Sequence, residues 1–198
     1  MKISVIRYNA GNIQSVLFAL ERLGVNAEVT EDFETITSSD KIIFPGVGEA
    51  SSAMKYLQEK KLDQVIKNLT QPVLGICLGM QLMCAHSEEN DTNCLGLFPS
   101  KVKRFAISTD NGIKVPQVGW NAIYNLKTGL FSNVNEGSYV YHVHSYYVPG
   151  DDYTIAETEY GIPYASAINR ENFYGVQFHS EKSGTIGETI LQNFLKIV

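Results

Sequence analysis

The chain of 198 residues is poor in cysteine and has no long apolar run. Its three cysteines are an odd number without a CxxC pair, which excludes a disulfide framework and a zinc ribbon and predicts reduced thiols. No apolar run approaches the roughly 18 residues of a membrane-spanning helix, and the first residues lack the pattern of a signal peptide. We therefore expect a cytoplasmic protein that makes no contact with a membrane.

Basic residues are also scarce. Lysine and arginine total 16 against 21 aspartates and glutamates, so the formal net charge is -5, and no basic run forms a local patch. This balance excludes nucleic acid as a partner. With 44% hydrophobic residues the chain can bury a sizeable core, and we expect a single domain over residues 1–198.

The first half of the chain alternates strand patterns with helix patterns. Strands are expected at 2–8, 26–30, 41–44 and 72–76, and helices at 13–24, 54–60, 62–69 and from 78 onward. Strands that alternate with helices indicate βαβ units. The predicted fold is therefore α/β, with a mainly parallel central sheet covered by helices on both faces.

The pattern changes after Asn93. Residues 95–177 are rich in Tyr, Val, Gly and Asn, with alternating runs such as SYVYHVHSYYV, which is typical of antiparallel strands. We expect these strands to extend the same sheet. A final amphipathic helix is predicted from about Ser183.

The stretch VLGICLGMQL places Cys77 between Gly75 and Gly79, where a predicted strand passes into a predicted helix. This spacing is similar to a nucleophile elbow, in which glycines relieve the crowding of a strained turn. The start of the following helix would favour the thiolate form of the cysteine. A buried structural cysteine is the alternative, and it is the preferred interpretation of Cys84 and Cys94, which have no glycine frame.

A thiolate nucleophile needs a base, and His179 is the best candidate among the four histidines. It follows the apparent strand YGVQF, and Glu181 lies two residues later, on the same side of an extended chain. Such a pair is also common on a protein surface. His142 and His144 lack a third ligand at metal-binding spacing, and His86 is expected at the end of a helix, so no metal site is predicted.

The turn PGVG, residues 45–48, ends another predicted strand. If this strand lies beside the strand that leads to Cys77, its backbone N–H groups and that of Leu78 can bind the oxyanion of an acyl intermediate. A plain tight turn is the alternative.

Read in order, PGVG, GICLGMQL and QFHSEKS closely resemble the motifs of the class I glutamine amidotransferases. Within that family, PQVGWN at 116–121 and YHVHSYY at 141–147 are similar to the glutaminase subunits of imidazole glycerol phosphate synthases. The resemblance covers essentially the whole chain. It implies the three-layer α/β/α glutaminase fold, with Cys77 as nucleophile, His179 as general base and acid, and Glu181 as its orienting partner.

The resemblance also implies the remaining site residues. Leu78 with Val47 or Gly48 would form the oxyanion hole. The residues expected to hold the substrate L-glutamine are Gln81, His144, Ser145 and Tyr146. No cofactor is implied.

The ammonia released from glutamine would pass to a (β/α)8 cyclase in a heterodimer. That partner would make imidazole glycerol phosphate and aminoimidazole carboxamide ribotide in histidine biosynthesis. The residues expected at the docking face are Asn12, Gln117, Trp120, Asn121, Tyr141 and Lys182. Gly11, which precedes Asn12, is part of the same family motif.

Two departures from the family pattern stand out: Ser180 replaces the usual proline between His179 and Glu181, and residues 7–9 read Arg-Tyr-Asn instead of Asp-Tyr-Gly. The first would loosen a loop without removing a catalytic group. Three alternatives remain at this point. They are a glutaminase that serves a surface-sugar amidotransferase, a non-catalytic docking subunit and a stand-alone cysteine peptidase or γ-glutamyl hydrolase. The intact triad argues against the second, and the GWN segment against the third.

Overall fold

A computed structural model describes residues 1–9, 12–106 and 113–198, so Gly11 lies outside the described residues. The helices are α1 Ile13–Arg22, α2 Phe33–Thr37, α3 Ala50–Glu59, α4 Leu62–Lys67, α5 Leu78–Met83 and α6 Gly184–Lys196. The strands are β1 Ile3–Ile6, β2 Ala27–Thr30, β3 Lys41–Phe44, β4 Val73–Ile76, β5 His86–Ser87, β6 Thr92–Asn93, β7 Lys101–Arg104, β8 Gln117–Ile123, β9 Ser138–His144, β10 Tyr146–Tyr147, β11 Thr154–Glu159, β12 Pro163–Arg170 and β13 Phe173–Val176.

Seven strands form the central sheet, in the order β11-β12-β13-β4-β3-β1-β2. The strands from β13 to β2 are parallel to one another, and β12 and β11 continue the sheet in antiparallel pairing. Strand β4 is fully buried, as expected for a central parallel strand covered on both faces. The predicted mainly parallel sheet with an antiparallel extension is confirmed. The expectation that all the later strands extend it is wrong, because β7 and β10 belong to a small sheet with β5 and β6, and β8 pairs with β9 in a separate hairpin.

Helices cover both faces of this sheet, because each face carries its own apolar core. On one face α3, α4 and α5 contribute buried side chains such as Met54, Ile66 and Leu82. On the other face α1 and α6 contribute Leu20, Leu191 and Phe194. The result is the predicted three-layer α/β/α arrangement. Among the described residues no helix is long and apolar enough to cross a membrane.

Two parts of the fold were not predicted. The short helix α2 is started by Asp32, whose carboxylate accepts the N–H of Thr35 at 2.8 Å, a local cap with too little apolar periodicity to reveal it. His86 lies in β5 and contacts Asp91 at 2.9 Å, so its predicted place at a helix end is wrong. Helix α5 ends at Met83 instead, and the chain turns back into a small sheet of β10, β7, β5 and β6.

Candidate active site

Cys77 occupies the tight connection in which β4 passes directly into α5. Its backbone has φ 52° and ψ -106°, a conformation that a side-chain-bearing residue adopts only under constraint from its surroundings. A Cβ on Gly79 would overlap the carbonyl oxygen of Phe44, and a Cβ on Gly75 would lie 2.8 Å from the backbone nitrogen of Met80. The two glycines therefore let the turn pack against β3 and against its own helix.

The central sheet brings the candidate base to this turn. Strand β13 is parallel to β4 with Val176 opposite Ile76, and the N–H of Cys77 donates to the carbonyl of Val176 at 2.8 Å. His179 lies three residues beyond that carbonyl. Its Nδ1 atom and Glu181 Oε1 are 2.7 Å apart, and both side chains are 2% exposed. A carboxylate is a pure acceptor here, so Nδ1 carries the proton.

The electrostatics favour a charged His179. Burial lowers the pKa of the imidazole, but interactions with Cys77 and Glu181 outweigh it and raise the pKa to about 10. Atom Nε2 is buried and has no hydrogen bond of ordinary geometry within the described residues. Catalytic pairs are often poorly aligned before substrate binds. The arrangement is therefore suited to an imidazolium beside the sulfur of Cys77.

The candidate oxyanion hole is closed in this structure. The N–H of Leu78 donates to the carbonyl oxygen of Gly46 at 3.2 Å, so this donor is already used. The carbonyl of Gly46 and the N–H of Val47 belong to one peptide plane and point in opposite directions. The expected pair of free donors at Leu78 and Val47 is thus not assembled in this conformation.

A cavity of about 440 Å³ opens beside the sulfur of Cys77. This volume falls in the range of roughly 300–1,000 Å³ that is typical of small-molecule sites. Every residue expected in the oxyanion hole and in substrate binding lines it. The lining residues are Val47, Gly48, Cys77, Leu78, Gln81, Glu89, Pro116, Val143, His144, Ser145 and Tyr146.

Glu89 lines this cavity and was missed by the sequence analysis. It lies in a 3-10 turn between β5 and β6, and one carboxylate oxygen accepts the N–H of Ala50 at 2.8 Å. Burial raises the pKa of Glu89, which a cationic ligand group would offset. No motif or periodicity marks this position, because its place depends on how its 3-10 turn packs against the start of α3.

Hydrogen bonds join three of the expected substrate-binding residues, Gln81, His144 and Tyr146. Gln81 Nε2 and His144 Nδ1 both donate to the carbonyl oxygen of Tyr146, at 3.0 and 2.7 Å. His142 Nδ1 and His144 Nε2 lie 3.3 Å apart, each next to the hydroxyl of Tyr164. Burial lowers the pKa of His144 to about 4 and the pKa of His142 well below its usual value. Both rings are therefore neutral at pH 7.

No group of three or more His, Cys, Asp or Glu side chains suited to a metal ion occurs within residues 1–9, 12–106 and 113–198. His142 and His144, which the sequence offered as a possible pair of ligands, are bonded to each other and to Tyr164 instead.

The expected docking residues lie near one another, but they do not all face outward. Trp120 is 54% exposed and packs edge-on against Tyr141, with ring centroids 6.0 Å apart. Lys182 is exposed, and Asn12 donates to Glu181 Oε1 at 3.2 Å.

Gln117 is a correction to the expected docking face. It is 3% exposed and accepts the hydroxyl of Tyr164 at 3.0 Å. Its side chain is therefore not available to a partner. Asn121 is half-buried and donates to the carbonyl of Glu159 at 2.9 Å.

The fold and this site define a class of protein. Residues 5–198 match the family described as "Glutamine amidotransferase class-I", and the chain belongs to that family. A solved structure described as "Crystal structure of glutamine amidotransferase" superposes with a TM-score of 0.75 at 16% identity, over 98% of this chain and 97% of the other, which shows the shared fold.

Relatives that match the chain over its full length share one name within this family. The "Imidazole glycerol phosphate synthase subunit HisH" of Bacteroides fragilis is 55% identical over 100% of both chains. The protein of the same name from Haemophilus influenzae is 47% identical over 100% of this chain and 98% of the relative. The predicted membership in the amidotransferase family is confirmed.

Proposed function

We propose that this chain is the glutamine-hydrolysing subunit of an imidazole glycerol phosphate synthase, acting in histidine biosynthesis. One observation supports this function most directly. Cys77 lies in a strained turn beside a buried His179 whose Nδ1 atom is 2.7 Å from Glu181 Oε1. Interactions with Cys77 and Glu181 raise the pKa of this imidazole. The names of the full-length relatives point to the same enzyme. Unpaired cysteines fit a reducing compartment, the cytoplasm.

The reaction has two steps. The thiolate of Cys77 attacks the carboxamide carbon of glutamine, and the imidazolium of His179 gives its proton to the nitrogen as the C–N bond breaks. Ammonia leaves, and a glutamyl thioester remains. Neutral His179 then takes a proton from water, which attacks the thioester, and the C–S bond breaks with its electron pair on sulfur. Glu181 holds the proton on Nδ1 throughout, so Nε2 carries each transfer.

Both steps need an oxyanion hole, and a single peptide rotation would make one. Turning the peptide between Gly46 and Val47 would withdraw the Gly46 carbonyl from the N–H of Leu78 and bring the N–H of Val47 toward the cavity. Each donor to a developing oxyanion contributes about 3 kcal/mol. We assign the closed conformation to the resting chain and the open one to the chain bound to substrate and partner.

The residues that line the cavity suit the two ends of a glutamine molecule. The carboxamide would lie beside Cys77 and Leu78, whereas Glu89 would face the α-ammonium group of the substrate. Charge complementarity supports this direction, because burial disfavours the charged form of the Glu89 carboxyl and a neighbouring ammonium group would favour it. Gln81, Ser145 and Tyr146 would hold the groups between these ends.

The partner would be a (β/α)8 cyclase that receives the ammonia. An exposed apolar surface on the β8–β9 hairpin is available for it, with Val118, Trp120 and Tyr139 each more than half exposed. Contiguous exposed aromatic residues of this kind mark interaction sites. Lys182 lies at the same edge, directly after Glu181, so a partner docked there would also contact the loop that carries the triad.

The test uses the chain assembled with its cyclase. Cys77→Ala should abolish the glutamine-dependent reaction and leave the reaction driven by added ammonium salt unchanged, because only the supply of ammonia is lost. Cys94→Ala is the matched control, since Cys94 is half-buried and lies in the loop after β6. Glutamine-dependent synthesis by the Cys77→Ala complex would overturn the proposal.

A further inference from the structure

Gln177 is a buried polar residue that the mechanism above does not use. It is 0% exposed and directly follows β13. Because β13 and β4 are parallel with Val176 opposite Ile76, Gln177 and Cys77 leave the sheet side by side. Its N–H donates to the carbonyl of Ser166 at 2.8 Å, which fixes the backbone.

The orientation of the Gln177 side chain follows from its neighbours. The carbonyl oxygen of Tyr146 can only accept, so the atom of Gln81 that lies 3.0 Å from it must be the amide nitrogen. That same nitrogen donates to Gln177 Oε1 at 2.9 Å. The amide nitrogen of Gln177 is therefore the atom that lies 3.6 Å from the sulfur of Cys77. Reversing the amide would set two donors against each other.

Few polar groups lie near the sulfur of Cys77 among the described residues. The thiol is 4.0 Å from the carbonyl of Val143, Gln177 donates to it, and His179 interacts with it. The other titratable groups that sense its charge are Tyr8 and Tyr164, and burial raises the pKa of both hydroxyls, so both remain neutral. Gln177 is thus a donor whose proton is not lost at any working pH.

We propose that Gln177 is a further catalytic residue, which binds the sulfur anion through its amide N–H and keeps the sulfur in place for attack. This role rests on the proposed function of Cys77. It applies twice in the reaction. The N–H stabilises the thiolate before attack, and it stabilises the electron pair that returns to sulfur when the C–S bond of the thioester breaks. Hydrogen bonds to a charged partner are the stronger kind.

The test measures how fast iodoacetamide alkylates Cys77 in the full chain as a function of pH, with the Cys77 peptide quantified by mass spectrometry. Gln177→Met keeps the approximate size of the side chain and removes the donor. The midpoint of the pH profile should move upward by about one unit, because a donor to an anion is lost. Gln71→Met is the control. It removes a glutamine amide that donates to the carbonyl of Ile36 at 2.9 Å, at the far end of β4.

A second variant covers the case in which Gln177→Met does not fold. Gln81→Met leaves Gln177 in place but removes the group that orients its amide, so the midpoint should also rise, by a smaller amount. A midpoint that is unchanged in the folded variants would overturn the role of Gln177, even if the maximal rate fell. If Cys77 of the unaltered chain reacts no faster than Cys94, the proposed function itself fails, which is a separate outcome.

Discussion

Two turns that contain glycine lie at the cavity. Only one of them has the conformation that the proposed reaction requires. The turn around Cys77 has this conformation, because its glycines allow close packing against Phe44 and Met80. The neighbouring His179 is already hydrogen-bonded to Glu181. The turn at residues 45–48 does not have it, because the carbonyl of Gly46 occupies the Leu78 amide that an oxyanion would need. In the proposed mechanism, the nucleophile Cys77 is therefore in place before the groups that would stabilise the intermediate.

This difference suits an enzyme whose product must not be released without an acceptor. A chain in which both turns had the conformation needed for catalysis would hydrolyse glutamine whether or not a partner was present. With one turn closed, we expect a small rearrangement of a single peptide to control the rate. Substitutions can test each turn separately, and the expected effect is largest for Gly79→Ala and smallest for Glu49→Gln.

Gly79→Ala should damage the Cys77 turn more than any other single methyl group. The added Cβ would overlap the Phe44 carbonyl oxygen, which is backbone and cannot move aside, so the free energy of unfolding should fall by about 3 kcal/mol. Urea denaturation measures this. Gly129→Ala is the control, because a Cβ there meets nothing within 4 Å and the change should stay below about 0.5 kcal/mol. Equal stability of the two variants would refute the steric argument.

Trp120→Ala should weaken binding of the cyclase that we expect to complete the second turn. Exposed aromatic residues at the centre of an interface contribute about 2 kcal/mol, so the dissociation constant should rise roughly 30-fold. Calorimetric titration with the partner measures it. The matched variant Phe33→Ala removes another exposed aromatic ring, on α2, and should bind as the parent does. Unchanged binding by Trp120→Ala would place the interface elsewhere.

Tyr8→Phe should loosen the second turn. The buried Tyr8 hydroxyl donates to the carbonyl of Pro45 at 2.5 Å and lies against Gly46. We expect this bond to favour the closed peptide. Loss of a hydrogen bond worth about 1 kcal/mol should therefore raise the glutaminase rate of the isolated chain about fivefold. Tyr56→Phe, whose hydroxyl binds Glu31 elsewhere, should have no such effect. A slower Tyr8→Phe chain would mean that this bond supports the open form.

Glu49 anchors the far end of the second turn, and its contribution should depend on pH. Burial raises the pKa of the Glu49 carboxyl, but hydrogen bonds from Ser51, Ser52 and Asn90 outweigh this effect and lower the pKa to about 2. A lowered pKa in the folded state means that stability is present above pH 4.5 and is lost as the pH falls toward 2.

Because Glu49 is partly exposed, Glu49→Gln should cost only about 1 kcal/mol at pH 7 and progressively less below pH 4.5. Urea denaturation over this pH range measures the difference. Glu59→Gln, at the other end of α3, is the matched control, because Glu49 and not Glu59 caps the start of this helix. A cost for Glu49→Gln that is constant with pH would contradict the assigned hydrogen bonds.

The features that were predictable from the sequence are those fixed by local pattern. The glycine frame of Cys77 marks a strand-to-helix turn because only glycine fits beside crossing backbone. The parallel strands are readable because both faces are buried and the residues are continuously apolar. His179 was chosen as the candidate base from the strand before it and from Glu181 two residues later, and the resemblance to a family supported its pairing with Cys77, 102 positions away.

The features that were missed depend on tertiary geometry. Gln117 was expected on the same face as Trp120, but side chains alternate along a strand, so residues 117 and 120, which are three positions apart, point to opposite sides of β8. The closed peptide at Gly46 was not predictable, because glycine permits either orientation of the following peptide plane. Glu89 reaches the cavity only through the packing of its 3-10 turn against the start of α3.

The most direct test of the central claim uses a glutamine analogue that carries an alkylating group in place of the carboxamide. It is added to the chain assembled with its cyclase, and the modified residue is identified by mass spectrometry. The account predicts one adduct per chain, on Cys77, with loss of glutamine-dependent activity in proportion to labelling. An active complex with Cys77 fully labelled, or an inactivating adduct on another residue, would contradict it.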